Sequence, residues 1–296
     1  MLEISDSDRP VLVGGTGRSG STILGHVLDH HPELTLTRPM EVRFITGNDG
    51  VADALAVALR KPGSAQAQEA AQLAVERITH RWFERSTDVG LHTSMSKPDL
   101  MEMCDVYLQE SLVDPLSAAQ RLTRAIMARV AGAIEAHRWV DTTPANARKA
   151  DKVAPIYPLS VVIVVHRDGR DVAASFAHQS FGPDDVFEAL QLWEQRMLRI
   201  HKAVQASDPS RILQIDLIDL VASARYETLE RVCMAIDVPK DPQMVDWFDA
   251  NVTAEAAHGG RWRRDFDRGT CERLDRAYDD ACSRLANLGV RVPPAG

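Results

Sequence analysis

The sequence predicts an α/β fold: three layers around a central parallel sheet, with a helical insertion. Three observations carry the prediction. Val11-Leu12-Val13 runs into a Gly/Ser/Thr turn and then into an apolar helical pattern at Ile23, Leu24, Val27 and Leu28, the order strand, tight loop, helix. Ser160-Val161-Val162-Ile163-Val164-Val165 is an unbroken, mostly β-branched run, as expected of a parallel strand covered on both faces. It ends in a charged turn, His166-Arg167-Asp168-Gly169-Arg170-Asp171, from which another helix starts at Val172. Third, residues 51–137 change to alanine-rich segments of helical period. Ligands in open parallel sheets bind beyond the carboxyl ends of the strands, so both turns fall where a site is expected.

The first turn suits an anion. Glycines let the backbone fold tightly and present N–H groups, and the free amides and dipole of the following helix add to the attraction. From Gly15 to Thr22 it reads G-T-G-R-S-G-S-T, spaced like a Walker A motif but with Ser21 where the lysine belongs. That substitution counts against a kinase or NTPase. A cation sits instead inside the loop at Arg18, and its planar fork suits phosphate or sulfate oxygens. The plain alternative is a Gly-rich turn with an incidental arginine.

The first helix is expected over about 21–30, stopping before Pro32. Residues 33–37 alternate polar and apolar as a short strand, and a charge cluster around Pro39 follows, Arg38 to Phe44. Gly47-Asn48-Asp49-Gly50 is a turn. The insertion, about 50–137, is read as helices over 51–60, 65–85, 101–109 and 117–136, broken at Pro62-Gly63, Gly90 and Pro115. It fits either an acceptor-side lid or a plain structural bundle. Trp139 to Pro144 is a short strand and loop, followed by a helix over about 145–157. Beyond the second turn come a helix at 186–204, a strand at 211–215, a helix at 226–236, a basic turn Gly259-Gly260-Arg261-Trp262-Arg263-Arg264 and a closing helix at 270–288. All 296 residues are read as one domain.

Composition narrows the function. With 45% hydrophobic and 26% charged residues, a sizeable core is assured. A formal net charge of −8 argues against general nucleic-acid binding, so an anionic ligand needs a local basic pocket. The 4 cysteines show no paired or zinc spacing, which suits free thiols in a reducing, cytoplasmic setting. Residues 1–10 do not read as a secretory signal, and Val161–Val165 is far too short to cross a membrane. No histidine spacing suggests a metal.

Arg18-Ser19-Gly20-Ser21-Thr22, with Asp29-His30-His31-Pro32 at the helix end, and Arg167-Asp168-Gly169-Arg170-Asp171 through Ser175 together resemble two signatures of the sulfotransferases that use 3′-phosphoadenosine 5′-phosphosulfate (PAPS). The first loop is most similar to the protein-tyrosine sulfotransferases and their bacterial relatives. The resemblance implies a P-loop NTPase-like fold and no metal. It places the 5′-phosphosulfate on Gly17, Arg18, Ser19, Gly20, Ser21 and Thr22, and the 3′-phosphate on Arg167 and Ser175. A weaker similarity at residues 214–220 and at the basic turn implies that Arg261 and Trp262 lie over the nucleotide. The implied reaction moves a sulfuryl group from PAPS to a hydroxyl of a small-molecule, carbohydrate or lipid acceptor, releasing adenosine 3′,5′-bisphosphate (PAP).

Glu41-Val42-Arg43 resembles the segment that supplies the base in the tyrosine-type branch, which makes Glu41 the candidate general base and Arg18 the transition-state cation. The alternatives are a Glu41 that is merely ion-paired with Arg38 or Arg43, and a base among His26, His30 and His31. Relatives carry a lysine in a D-K-x-P-type turn where this chain has Asp141-Thr142-Thr143-Pro144, leaving the charge to Arg18, Lys149, Lys152 or another cation. Two rival functions are a P-loop kinase or NTPase with a degenerate Walker A loop and a nucleotide-binding protein without catalysis.

Overall fold

A computed structural model describes residues 8–133 and 138–294. Five strands, β1 (Val11–Gly15), β2 (Leu34–Leu36), β3 (Arg138–Asp141), β4 (Val161–His166) and β5 (Ile212–Asp216), form one parallel sheet in the order β2-β3-β1-β4-β5. In register, Val11 to Gly15 lie beside Val161 to Val165, and Val11 lies beside Val140 on the other side. The chain leaves β1 toward β2 and later crosses to β4, so the strand order reverses at β1. Such a reversal opens a crevice at the carboxyl ends of the strands, and both charged turns are there.

Alternation along the strands feeds two cores. Leu12, Val162 and Val164 face one side and Val11, Val13, Ile163 and Val165 the other. Helices α1 (Ser21–Asp29), α10 (Arg225–Ile236) and α11 (Pro242–Asn251) cover the second side through Leu24, Leu28, Val232 and Phe248. The first side carries the insertion: α2 (Val51–Arg60), α3 (Ala65–Glu76), α4 (Lys97–Glu110) and α5 (Pro115–Gly132). Leu55, Ile78, Trp82, Leu100 and Ile126 pack into the same core as Trp139 and Val162. A third core joins α8 (Gly169–Ala177), α9 (Val186–Gln205) and α13 (Arg268–Asn287) through Phe176, Trp193 and Tyr278.

Several helices differ from their periodicity. The segment expected over 65–85 leaves the α-helix at Glu76, continues in a wider π-type turn at Arg77–Arg81 and stops at Trp82, whose indole is buried in the first core. α4 begins at Lys97 because the Ser96 hydroxyl accepts from the Asp99 amide, a cap that outweighs the weak periodicity before Met101. The last residues expected in the fourth insertion helix, 134–136, lie outside the described residues. The helix expected over 145–157 is two short pieces, α6 (Ala145–Arg148) and α7 (Ala150–Val153), because Lys149 leaves helical geometry to donate to the Gly47 carbonyl and the Asp53 carboxylate. The basic turn contains a helical turn, α12 (Trp262–Asp265). α11, with Asp241 capping and Pro242 in the first turn, was not anticipated. No helix among the described residues is long and apolar enough to cross a membrane.

Candidate active site

The first loop leaves β1 and enters α1 with Gly17, Arg18 and Gly20 at φ of 82°, 55° and 98°. At Gly20 a side chain is excluded twice over: the conformation is left-handed, and a Cβ would lie 2.6 Å from Leu217. Gly14 admits Ala147 so closely that a Cβ would stand 2.4 Å from its amide nitrogen. Gly17, Arg18, Gly20, Ser21 and Thr22 line a cleft of about 500 Å³ at the carboxyl edge of the sheet. Ser19 does not line it. It is buried behind the loop, its hydroxyl without a partner.

The second turn meets the first across this cleft. Arg18 donates from Nε to the Ser175 hydroxyl at 2.9 Å. Arg167, at the end of β4, donates to the Arg18 carbonyl at 3.1 Å and to the carbonyls of Ala257 and His258 at 2.9 and 3.1 Å. The other charges of the turn are structural. Asp168 caps α8 and pairs with Arg170, whose guanidinium lies 4.7 Å from the Trp262 ring and 4.5 Å from the Tyr278 ring. Asp171 accepts from the amides of Gly260 and Trp262 at 2.9 and 3.5 Å.

That last pair of bonds decides where the basic turn goes. Drawn inward by Asp171, Trp262 is buried against Arg170 and does not line the cleft, and Arg261 is paired with Asp265 at 2.8 Å. Arg261 and Trp262, like Ser19, therefore do not line the cleft, and Ser175 is buried beneath it, joined to it through Arg18. Ala256, Ala257 and His258 line it instead.

Glu41 and Arg43 line the cleft from the insertion side and are ion-paired, Nε to carboxylate at 3.0 Å. Arg38 turns away to Asp29. Glu41 has a φ of 55° and Arg43 one of 59°, and the segment is held in this uncommon geometry from two directions. Arg85 donates to the Glu41 carbonyl at 2.8 Å, while the Val42 amide donates to the buried Asp141 carboxylate at 3.0 Å. Asp141 also accepts from the Thr143 amide and hydroxyl and from Asn146. Burial pushes its carboxyl up, and these hydrogen bonds oppose the rise. Asp141 is thus the fixture of the Glu41 segment, visible in the sequence only as a carboxylate at a strand end.

Thr142 is fully buried against Gly25 of α1, its hydroxyl unpartnered. Lys149 and Lys152 both pair with Asp53, in the insertion, and do not line the cleft. Three arginines that the sequence did not single out do line it: Arg81, Arg148 and Arg196. Arg148 donates to the Gly15 carbonyl at 3.1 Å and Arg196 to that of Thr16 at 2.5 Å. Burial, then the repulsion of Arg196 and Arg199, pushes Arg148 down to about 10. Among the described residues no carboxylate lies within ion-pair distance of Arg148 or Arg196. None of His26, His30 and His31 lines the cleft: His30 stacks on Trp247 at 4.5 Å, His26 lies 6.3 Å from the same ring, and His31 bonds the Pro239 carbonyl.

An anion loop lacking its lysine, joined by an arginine and a serine to a second cationic grip, suits a ligand with two separated anionic groups. The sulfotransferase domain of the Synechococcus PCC 7002 olefin synthase aligns with a TM-score of 0.55 at 15% identity, covering 98% of each chain. Sulfotransferase STF9 from Mycobacterium avium aligns with a TM-score of 0.50 at 15% identity, over 97% of this chain and 78% of that one. Mouse sulfotransferase SULT7A1 complexed with PAP aligns at 0.47 and 10% identity, over 95% and 85%. At such identities the first two likenesses concern the fold, which is the P-loop NTPase-like one. No curated protein matches the sequence. The profile of the sulfotransferase family matches residues 10–242, a span holding both turns and every strand of the sheet, and the chain belongs to that family.

Proposed function

We propose that this sulfotransferase acts on a hydroxyl of a small-molecule, carbohydrate or lipid acceptor, with Glu41 as general base. The enzyme class and its donor, PAPS, come with the family. The carrying observation is the junction between the two turns, in which Arg18 holds Ser175 while Arg167 holds the Arg18 backbone.

The residues present fit the donor. Arg18, which has no carboxylate partner among the described residues, the amides of residues 17–22 and the positive-φ glycines suit a phosphosulfate, and Arg167 with Ser175 suits the 3′-phosphate. PAPS supplies the sulfuryl group to be transferred. The chain supplies positioning and electrostatics, the terms that dominate such loose in-line transfers. Arg18 offsets charge on the leaving side. Glu41, aimed into the cleft by Arg85 and Asp141, receives the acceptor's proton, and Arg43 orients its carboxylate. The insertion, which brings Arg81 to the cleft and holds the Glu41 carbonyl through Arg85, serves as the acceptor-side wall, and the whole chain works as one domain. Four unbonded cysteines fit a reducing, cytoplasmic setting.

The test is thermal stabilisation by PAP against ATP–Mg²⁺, in the wild type and in Arg167→Ala. A ligand at about 100 times its dissociation constant adds about 2.7 kcal/mol. Stabilisation by PAP alone, lost in the variant, is the expected result. Stabilisation by ATP–Mg²⁺ alone would overturn the reading.

A further inference from the structure

The cleft is far more cationic than the chain around it. Six arginines line it, Arg18, Arg43, Arg81, Arg148, Arg167 and Arg196, against one carboxylate, Glu41, in a protein of formal net charge −8. Three of the six have occupations already described. Arg18 and Arg167 belong to the two grips, and Arg43 is neutralised by Glu41. Arg81, Arg148 and Arg196 have no carboxylate within ion-pair distance among the described residues; Arg81 is exposed, and Arg148 and Arg196 are half-buried. Burying unpaired cations is costly, so the arrangement calls for an anion.

Their placement separates them from the donor's cradle. Across a trans peptide the carbonyl points opposite to the next N–H. Arg148 and Arg196 grip the Gly15 and Thr16 carbonyls, and so stand on the far side of those peptide planes from the amides of Thr16 and Gly17. Each spends one nitrogen there and keeps further donors of its fork. They come from α6 and α9, whereas the 3′-phosphate grip comes from β4 and α8. Around them are apolar walls: Arg196 lies 5.1 Å from the Phe176 ring, and Phe181 and Trp82 line the same cleft.

We propose that the acceptor carries an acidic group, a carboxylate or phosphate, in addition to the hydroxyl that is sulfated, and that Arg81, Arg148 and Arg196 recognise it. The inference rests on the sulfotransferase reading of this cleft and names the acceptor's class within it. A fixed anionic handle would also orient the hydroxyl toward Glu41, which lines the same space.

The experiment measures binding to the full chain saturated with PAP, by calorimetry, using hydroxy compounds in charged and neutral pairs: 4-hydroxybenzoate and its methyl ester, glycerol 3-phosphate and glycerol, glucose 6-phosphate and glucose. We expect the charged member of at least one pair to bind about ten-fold or more tightly, the worth of one charge-assisted hydrogen bond. Arg81→Gln and Arg196→Gln should each erase most of that preference while PAP affinity stays within about two-fold, a change far smaller than one such bond. The Arg81 side chain makes no hydrogen bond within the described protein, so its variant keeps the fold even if the loop in Arg196→Gln shifts. Absence of any charged preference overturns the inference. So does a loss of PAP affinity in both variants, which would return these arginines to the donor. Failure of the wild type to bind PAP at all would instead overturn the function proposed above.

Discussion

Glu41 and Asp141 divide one task between them, the first facing the cleft and the second buried beneath it. In the proposed role of Glu41, Glu41→Gln removes the proton acceptor but keeps the shape, so kcat should fall by about 10²–10⁴ with PAP affinity unchanged; single-turnover rates and a PAP titration would show it. Asp141→Ala has another signature. It leaves the Val42 and Thr143 amides and the Asn146 side chain without their acceptor, at a cost of at least about 1–3 kcal/mol. The melting temperature should fall together with activity. Residues of the first kind were legible in the sequence. Arg18, Arg167 and Ser175 sit at fixed offsets from glycines and strand ends, and local geometry alone carries them to the crevice. Arg81, Arg148 and Arg196 were not, because each is one more polar residue on its own element and only tertiary packing gathers them. Trp262 reversed the expectation for a reason no spacing records, the pull of Asp171 on its amide.

Among the elements, the junction between α2 and the α6–α7 break is the most informative. Burial pushes the Asp53 carboxyl up, but Lys149 and Lys152 together overcome that and hold it below its ordinary value of 3.8. A carboxyl held low in the folded state contributes stability that is full above its unfolded value and is lost as pH falls through the folded one. Asp53→Asn should therefore destabilise near neutrality, by about 1–3 kcal/mol given the partial exposure of the pair. It should also flatten the loss of stability between about pH 5 and pH 2. Denaturant midpoints measured across that range for both proteins would show the two curves converging in acid. The same junction explains why a helix read over 145–157 is two pieces: periodicity sees apolar positions, whereas Lys149 breaks its turn for a carboxylate 96 residues away. The strands were read more surely, since a run such as Val161 to Val165, buried throughout, needs no partner to declare itself.

For the whole molecule, the insertion is continuous with the sheet through Leu12, Trp139 and Val162, so one cooperative unfolding transition is expected. At this chain length about 2.7 kcal/mol from PAP corresponds to a rise of roughly 4 °C in that single transition. Two calorimetric peaks, with only one moving, would show that the insertion melts by itself. The fold class was legible because two strand–turn–helix units suffice to define a parallel sheet, while the shape of the cleft depends on contacts between distant segments. The strand order has a further meaning for biosynthesis. The central strand β1 is made first, yet β4, which pairs with it along its full length, leaves the ribosome about 150 residues later, on the order of 10–30 s at ordinary elongation rates. Until β3 emerges shortly before β4, Val11, Leu12 and Val13 have no strand of the sheet to join, and the nascent chain must keep them from wrong pairings. The catalytic crevice is consequently a late product of translation, closed only when the second half of the polypeptide arrives.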